Sequence, residues 1–121
     1  MYVLDIMSRT LISVKPENTI QEASEVMEKN KVGAVLVMKG DVLSGILTEK
    51  DIIKAISKST PYSTNVKKIM TEEIISIGPN ATVREAARIM LNKNVRRIPI
   101  VSEGKCIGIV TMNDVVRALL R

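Results

Sequence analysis

Laid on itself at an offset of 63 residues, the chain nearly repeats. GILTEKD at 45–51 returns as GIVTMND at 108–114. An ungapped comparison of 6–56 with 69–119 gives identity at more than a quarter of the positions. Roughly three matches would arise by chance from average residue usage. Ile6, Met7, Thr19, Glu22, Met27, Gly45, Thr48 and Asp51 are among the residues kept. A tandem repeat of about 60 residues is a severe constraint, because one such unit buries too little surface to be comfortable alone. The two copies are therefore expected to share one core within the 121 residues. The repeat sets boundaries at 1–58 for the first copy, 59–65 for a linker and 66–121 for the second.

Within each copy the pattern reads strand, helix, strand, strand, helix. LISV at 11–14 is a short β-rich run, and Thr19 with Glu22 then has the spacing of a capping box. Ile20, Ala23 and Met27 follow on one helical face; Thr82, Glu85, Val83, Ala86, Ala87 and Met90 repeat the arrangement. AVLVM and VLSGIL are joined by Lys39, Gly40 and Asp41, where a glycine suits the positive φ of a tight hairpin. IPIVSEGKCIGIV is the second version. Amphipathic helices begin at TEKDIIKAI and TMNDVVRALL, and the polar SKSTPYSTN reads as the connection between copies.

Composition excludes several functions. At 45% hydrophobic and 26% charged, with no long apolar run and an aspartate inside the only candidate leader stretch, the chain is expected to be cytoplasmic, with no membrane partner. There is no histidine, so histidine-dependent triads and most zinc arrangements are closed to it, and no metal site is expected. The single Cys106 stands where the first copy has Leu43 and is expected to behave as a small buried hydrophobe. No catalytic residue is assigned and the chain is not expected to be an enzyme. The net charge of +5 lies wholly in the second half: residues 1–60 carry eight bases and eight acids, residues 61–121 ten and five.

Taken together, IMS at 6–8, IMT at 69–71, NVRRIPIV at 94–101 and the twice-occurring G-I-L/V-T-x-x-D resemble a tandem pair of CBS domains, the modules named after cystathionine β-synthase. The resemblance covers nearly the whole chain. It implies an α/β (α+β) fold, β-α-β-β-α in each repeat. The repeats would be pseudo-twofold related and packed through small three-stranded sheets into one Bateman-type module, commonly dimerised through its helices. It implies a regulatory sensor that binds an adenosine-containing ligand (AMP, ADP, ATP or S-adenosylmethionine) in clefts between the repeats. No catalytic cofactor is implied.

T-x-x-D has two readings. Thr48 and Thr111 stand at helix starts, where a threonine caps and an aspartate three residues on favours the positive end of the helix. A carboxylate at that place is also a two-oxygen acceptor suited to ribose hydroxyls, with N–H groups of the helix start near a phosphate. By the resemblance, the turn entering the second strand of one repeat faces the T-x-x-D of the other. The main cleft then combines Thr48, Lys50 and Asp51 with Lys67, Ile74, Ile75, Val95, Arg96 and Arg97. The second, weaker one combines Leu11, Ile12, Val32, Gly33 and Ala34 with Thr111, Asn113 and Asp114. The arginines stand where the first repeat has Gly33 and Ala34, so the main cleft is expected to hold the phosphorylated ligand. As plain structure, Arg96 and Arg97 make a solvated basic turn.

Two other functions compete. The basic half fits a nucleic-acid binder, but two tyrosines and no Phe or Trp leave almost nothing for bases to stack on, and no helix-turn-helix signature is present. The second is an interaction module with vestigial clefts that docks on a separate effector enzyme or transporter. The stripes Ile52, Ile53, Ile56 and Val115, Val116, Leu119, Leu120 point to a homodimer.

Overall fold

Two backbone bonds explain why the repeat folds as two units rather than as two consecutive blocks. The first N–H of the helix Ile20–Asn30 (α1) donates to the carbonyl of Thr64 at 2.9 Å, and that of Val83–Lys93 (α3) donates to Met1 at 3.0 Å. Such donors have no partner within their own helix. Each is met by the segment that precedes the other copy in sequence. A computed structural model describes all residues, Met1–Arg121. Its contacts divide the chain into Ile12–Ile74 and a second unit of Ile75–Arg121 with Met1–Leu11.

In the 12–74 unit, Ser13–Val14 (β1) lies parallel to Ala34–Lys39 (β2), which pairs antiparallel with Val42–Thr48 (β3). Glu49–Ser57 (α2) follows directly. In the other unit, Arg97–Ser102 (β4) pairs antiparallel with Lys105–Thr111 (β5), and Met112–Leu119 (α4) closes the chain and packs against α3. Both hairpins carry a register shift at equivalent places, between Val37 and Met38 and between Ile100 and Val101. One extra residue on the longer strand, Ser44 or Ile107, bends each pair.

The second sheet has two strands, not the three expected from the resemblance. Only Ile77 makes a parallel bridge, to Ile100. Proline is the cause. Leu36 donates its N–H to the Ile12 carbonyl at 3.1 Å, whereas the residue at the equivalent place is Pro99, which has no N–H to give to Ile75. The strand is reduced to the bonds of Ile77 with the Pro99 carbonyl and the Val101 N–H.

Each unit has its own buried cluster. Val14, Ala23, Met27, Val35, Val37, Leu47 and Val66 form one buried cluster; Val3, Val83, Ala86, Met90, Ile98, Ile100, Val110 and Val115 form the other. The reason lies in the IM-S/T segments. Met70 sits against Gly45, and Thr71 bridges Ile46 on the open edge of β3. Met7 sits against Gly108, and Ser8 bridges Ile109 on β5. A Cβ at either glycine would overlap the methionine side chain and come within 3.0 Å of the Thr71 or Ser8 carbonyl. The two motifs that recur in sequence are thus two halves of one contact, made across copies. Cys106 is buried, as expected, and burial raises its thiol pKa.

Candidate functional site

The helix starts at Thr48 and Thr111 are reciprocal caps. Thr48 is extended (φ −115°) and its Oγ1 accepts from the Asp51 N–H at 3.3 Å, while Asp51 Oδ2 accepts from the Thr48 N–H at 2.9 Å and its hydroxyl at 3.1 Å. Thr111 and Asp114 repeat this at 3.3, 2.8 and 2.9 Å. This is the capping box with aspartate in the place usually held by glutamate. The structural reading of T-x-x-D therefore holds, and it uses one oxygen of each carboxylate: two hydrogen bonds fill both acceptor positions of Oδ2. The carboxylate has Oδ1 to offer a ligand, not two equal oxygens.

The two Oδ1 atoms differ in their surroundings. That of Asp51 accepts from the Thr71 hydroxyl at 3.4 Å, and that of Asp114 from the Arg117 guanidinium at 3.4 Å. Neither neighbour stood among the expected site residues. The signal for Thr71 was its place in IMT; Arg117 lies one helical turn after Asp114.

The turns Val32–Gly33–Ala34 and Val95–Arg96–Arg97 lie beside the helix start of their own unit. The Gly33 carbonyl accepts from the Glu49 N–H at 3.0 Å, and the Arg96 carbonyl from the Met112 N–H at 2.8 Å. Ala34 pairs across the hairpin with Thr48, and Arg97 with Thr111. Two N–H groups of each helix start are thereby spent, one on the turn and one on the threonine, so fewer remain for a phosphate than the sequence suggests. Arg96 is exposed and Arg97 half-buried, and neither guanidinium has an ion-pair partner. Both are left to a ligand or to solvent.

The remaining expected residues divide between the units. Lys50, Lys67, Ile74 and Ile12 belong to the 12–74 unit with Thr48, Asp51, Val32, Gly33 and Ala34; Leu11, Ile75 and Asn113 belong to the other with Val95, Arg96, Arg97, Thr111 and Asp114. Lys67 is exposed on a short 3-10 turn (Val66–Lys68), its N–H tied to the Pro16 carbonyl at 3.2 Å. Ile74, Ile75, Leu11 and Ile12 are each half-buried, and Lys50 and Asn113 are exposed. No group of three or more His, Cys, Asp or Glu side chains is arranged to hold a metal, and no helix is long and apolar enough to cross a membrane.

Known proteins supply the context for this arrangement. The family model of the CBS domain matches residues 3–58 and 66–121. The CBS domain-containing protein YhcV of Bacillus subtilis (strain 168) is 35% identical over 113 residues, 93% of this chain and 81% of that protein. CBSX2, solved in complex with AMP, superposes with a TM-score of 0.90 at 30% identity, over 98% of this chain and 96% of its own. The CBS domain pair of MJ0100, solved with 5′-methylthioadenosine and S-adenosyl-L-methionine, gives 0.86 at 27% identity, over 98% of this chain and 95% of its own. With two family matches in tandem, repeated capping boxes of the same form and an α/β fold shared along nearly its whole length, the chain belongs to the CBS-domain family as a Bateman-type pair.

Proposed function

We propose that this chain is a regulatory, non-catalytic module that binds an adenosine-containing ligand, AMP, ADP or ATP ahead of S-adenosylmethionine. The observation that carries the reading is the carboxylate of each T-x-x-D, held rigidly by its cap with Oδ1 outside it. An ionised acceptor fixed in place suits a ribose hydroxyl, because no side-chain freedom is lost when the bond forms. The AMP complex of CBSX2 and the S-adenosyl-L-methionine complex of the MJ0100 pair support the ligand class.

The main site, on this reading, joins Asp51, Thr48 and Lys50 to Arg96, Arg97, Val95 and Lys67, with Ile74 and Ile75 against the base. Two guanidiniums without ion pairs can make paired, charge-assisted bonds to phosphate. The second site, around Asp114, Thr111 and Asn113 with Leu11, Ile12 and Val32, offers only backbone at Gly33 and Ala34. Its carboxylate already holds Arg117, so it takes a less phosphorylated ligand or none. The exposed Ile53, Ile56, Leu119 and Leu120 support a homodimer, and a separate effector enzyme or transporter as the regulated partner.

Thermal shift with AMP, ADP, ATP, S-adenosylmethionine and adenosine tests the reading. A ligand with a dissociation constant near 10 μM should stabilise the protein by roughly 2.7 kcal/mol at 1 mM. The double substitution Arg96→Ala with Arg97→Ala should remove most of the nucleotide response and spare that of adenosine. Asp114→Ala should change it much less. No reproducible shift from any adenosyl ligand would leave the interaction module standing instead.

A further inference from the structure

Thr71 and Ser8 hold the same place in the repeat, and their backbones are fixed alike. Thr71 exchanges both N–H···O bonds with Ile46, at 2.9 and 3.0 Å, and Ser8 does the same with Ile109, at 2.8 and 3.0 Å. Their hydroxyls are spent differently. Ser8 Oγ accepts from the Thr10 N–H at 3.3 Å and donates to the Thr10 carbonyl at 3.4 Å, so it closes on its own loop. Thr71 Oγ1 instead donates to Asp51 Oδ1 at 3.4 Å, a contact between residues 20 apart in sequence.

Asp51 and Thr71 together keep acceptor capacity on two neighbouring atoms. Oδ2 of Asp51 is filled by the Thr48 N–H and hydroxyl. Oδ1 takes the Thr71 hydroxyl proton and has one acceptor position left. Thr71 Oγ1, having given its proton, can only accept from a ligand. Two acceptors 3.4 Å apart suit two donors on adjacent carbons, which is the arrangement of the 2′ and 3′ hydroxyls of a ribose. Neither acceptor has to be ordered first. The cap holds Asp51; the bridge to Ile46 and a β-branched side chain hold Thr71, and Met70 beside it is seated against Gly45. At Asp114 the equivalent Oδ1 faces Arg117, and Ser8 supplies no second acceptor.

We propose that Thr71 is a specificity-determining residue: its hydroxyl accepts one hydroxyl of a ribose cis-diol while Asp51 Oδ1 accepts the other. The proposal deepens the adenosine reading above and rests on it, and it gives a partner to the second hydroxyl, which Oδ2, committed to the cap, does not take. The ligand class narrows to ribonucleosides and ribonucleotides with both hydroxyls free. A 2′- or 3′-deoxy compound leaves one acceptor unmet, and a 3′-phosphate brings negative charge where a donor is needed. Because Ser8 is turned to Thr10, selection for the diol belongs to Asp51 and not to Asp114.

Calorimetric titration of the full chain with AMP, 2′-deoxy-AMP and 3′-deoxy-AMP, read at the tighter site, tests this in the unsubstituted protein, Thr71→Val and Thr71→Ser. Thr71 is exposed and its bonds to Ile46 are made by backbone, so Thr71→Val, of the same shape, keeps the fold. In the unsubstituted protein each deoxy compound should bind about tenfold more weakly than AMP. Thr71→Val should weaken AMP by a similar factor and bring it level with one of the two deoxy compounds, the one lacking the hydroxyl whose acceptor has gone. A merely structural role would leave both affinity ratios as they were. Thr71→Ser, which keeps a hydroxyl, should recover most of the loss. An unchanged AMP affinity in Thr71→Val, or an equal loss for all three compounds, overturns the role of Thr71 and leaves the adenosine reading standing. Absence of any thermal shift from an adenosyl ligand in the unsubstituted protein overturns that reading and this proposal with it.

Discussion

At the scale of single residues, Gly45 and Gly108 are held to glycine by a methionine and a backbone carbonyl from the segment across the strand edge. Gly108→Ala should destabilise the chain by about 1–3 kcal/mol, through overpacking against Met7 and the Ser8 carbonyl. In a Met7→Ala background the same change should cost at least ~1 kcal/mol less, since the two side chains compete for one space. Urea denaturation of the four proteins measures this. Glu103 is the opposite case, a non-glycine at φ 51° where the first hairpin has Gly40 at φ 62°. Glu103→Gly should therefore gain up to about 1 kcal/mol by removing a left-handed Cβ, read as a higher denaturation midpoint.

At the scale of elements, the helix starts dominate. Thr19 accepts from the Glu22 N–H at 3.1 Å and its own N–H donates to the Glu22 carboxylate at 2.8 Å. The bond from the Thr19 backbone N–H, with help from the Asn18 side chain, holds the Glu22 carboxyl below its ordinary value of 4.5. Because the folded pKa is the lower one, the stabilisation is fully present above pH 4.5 and is lost as pH falls through the folded value. Glu22→Gln, which can keep the box without titrating, should flatten that part of the stability–pH curve. Asp51→Ala and Asp114→Ala remove caps as well as ligand acceptors, each costing about 1–2 kcal/mol of stability without any ligand. A nucleotide titration of Asp51→Ala is thus to be compared with Asp51→Asn, which keeps an oxygen for the cap.

For the whole molecule, the exchange of preceding segments sets what folds with what. Val3 and Val66 are equivalent in the repeat and both fully buried, each in the core of the other copy's motif. Val3→Ala should therefore weaken the packing around Ile98 and Val110, by about 2 kcal/mol. A fragment of 12–74 retains its own core and the Met70–Gly45 contact, whereas a fragment of 1–58 lacks Val66, Ile69 and Met70. Circular dichroism should show more helix and a more cooperative melt for 12–74; equal behaviour of the two fragments would contradict the exchange.

Local chemistry alone determined the hairpins, the capping boxes and the burial of Cys106, because each rests on residues three or fewer apart or on a run that can only be inside. The period of 63 residues determined that both halves carry the same hairpin and capping boxes, and the Gly33–Arg96 and Ala34–Arg97 differences marked where charge departs from symmetry. What the sequence could not carry was pairing over distance. That Met7 meets Gly108 rather than Gly45, and that the chain before each copy packs into the buried cluster of the other copy's motif, depends on contacts between distant residues, which neither period nor propensity encodes. The loss of a strand at Pro99 needed a partner before its missing N–H had a meaning. The spending of Oδ2 on the cap was likewise legible only once the carboxylate's hydrogen bonds were in place, since sequence names an acceptor and three dimensions decide how much of it is left.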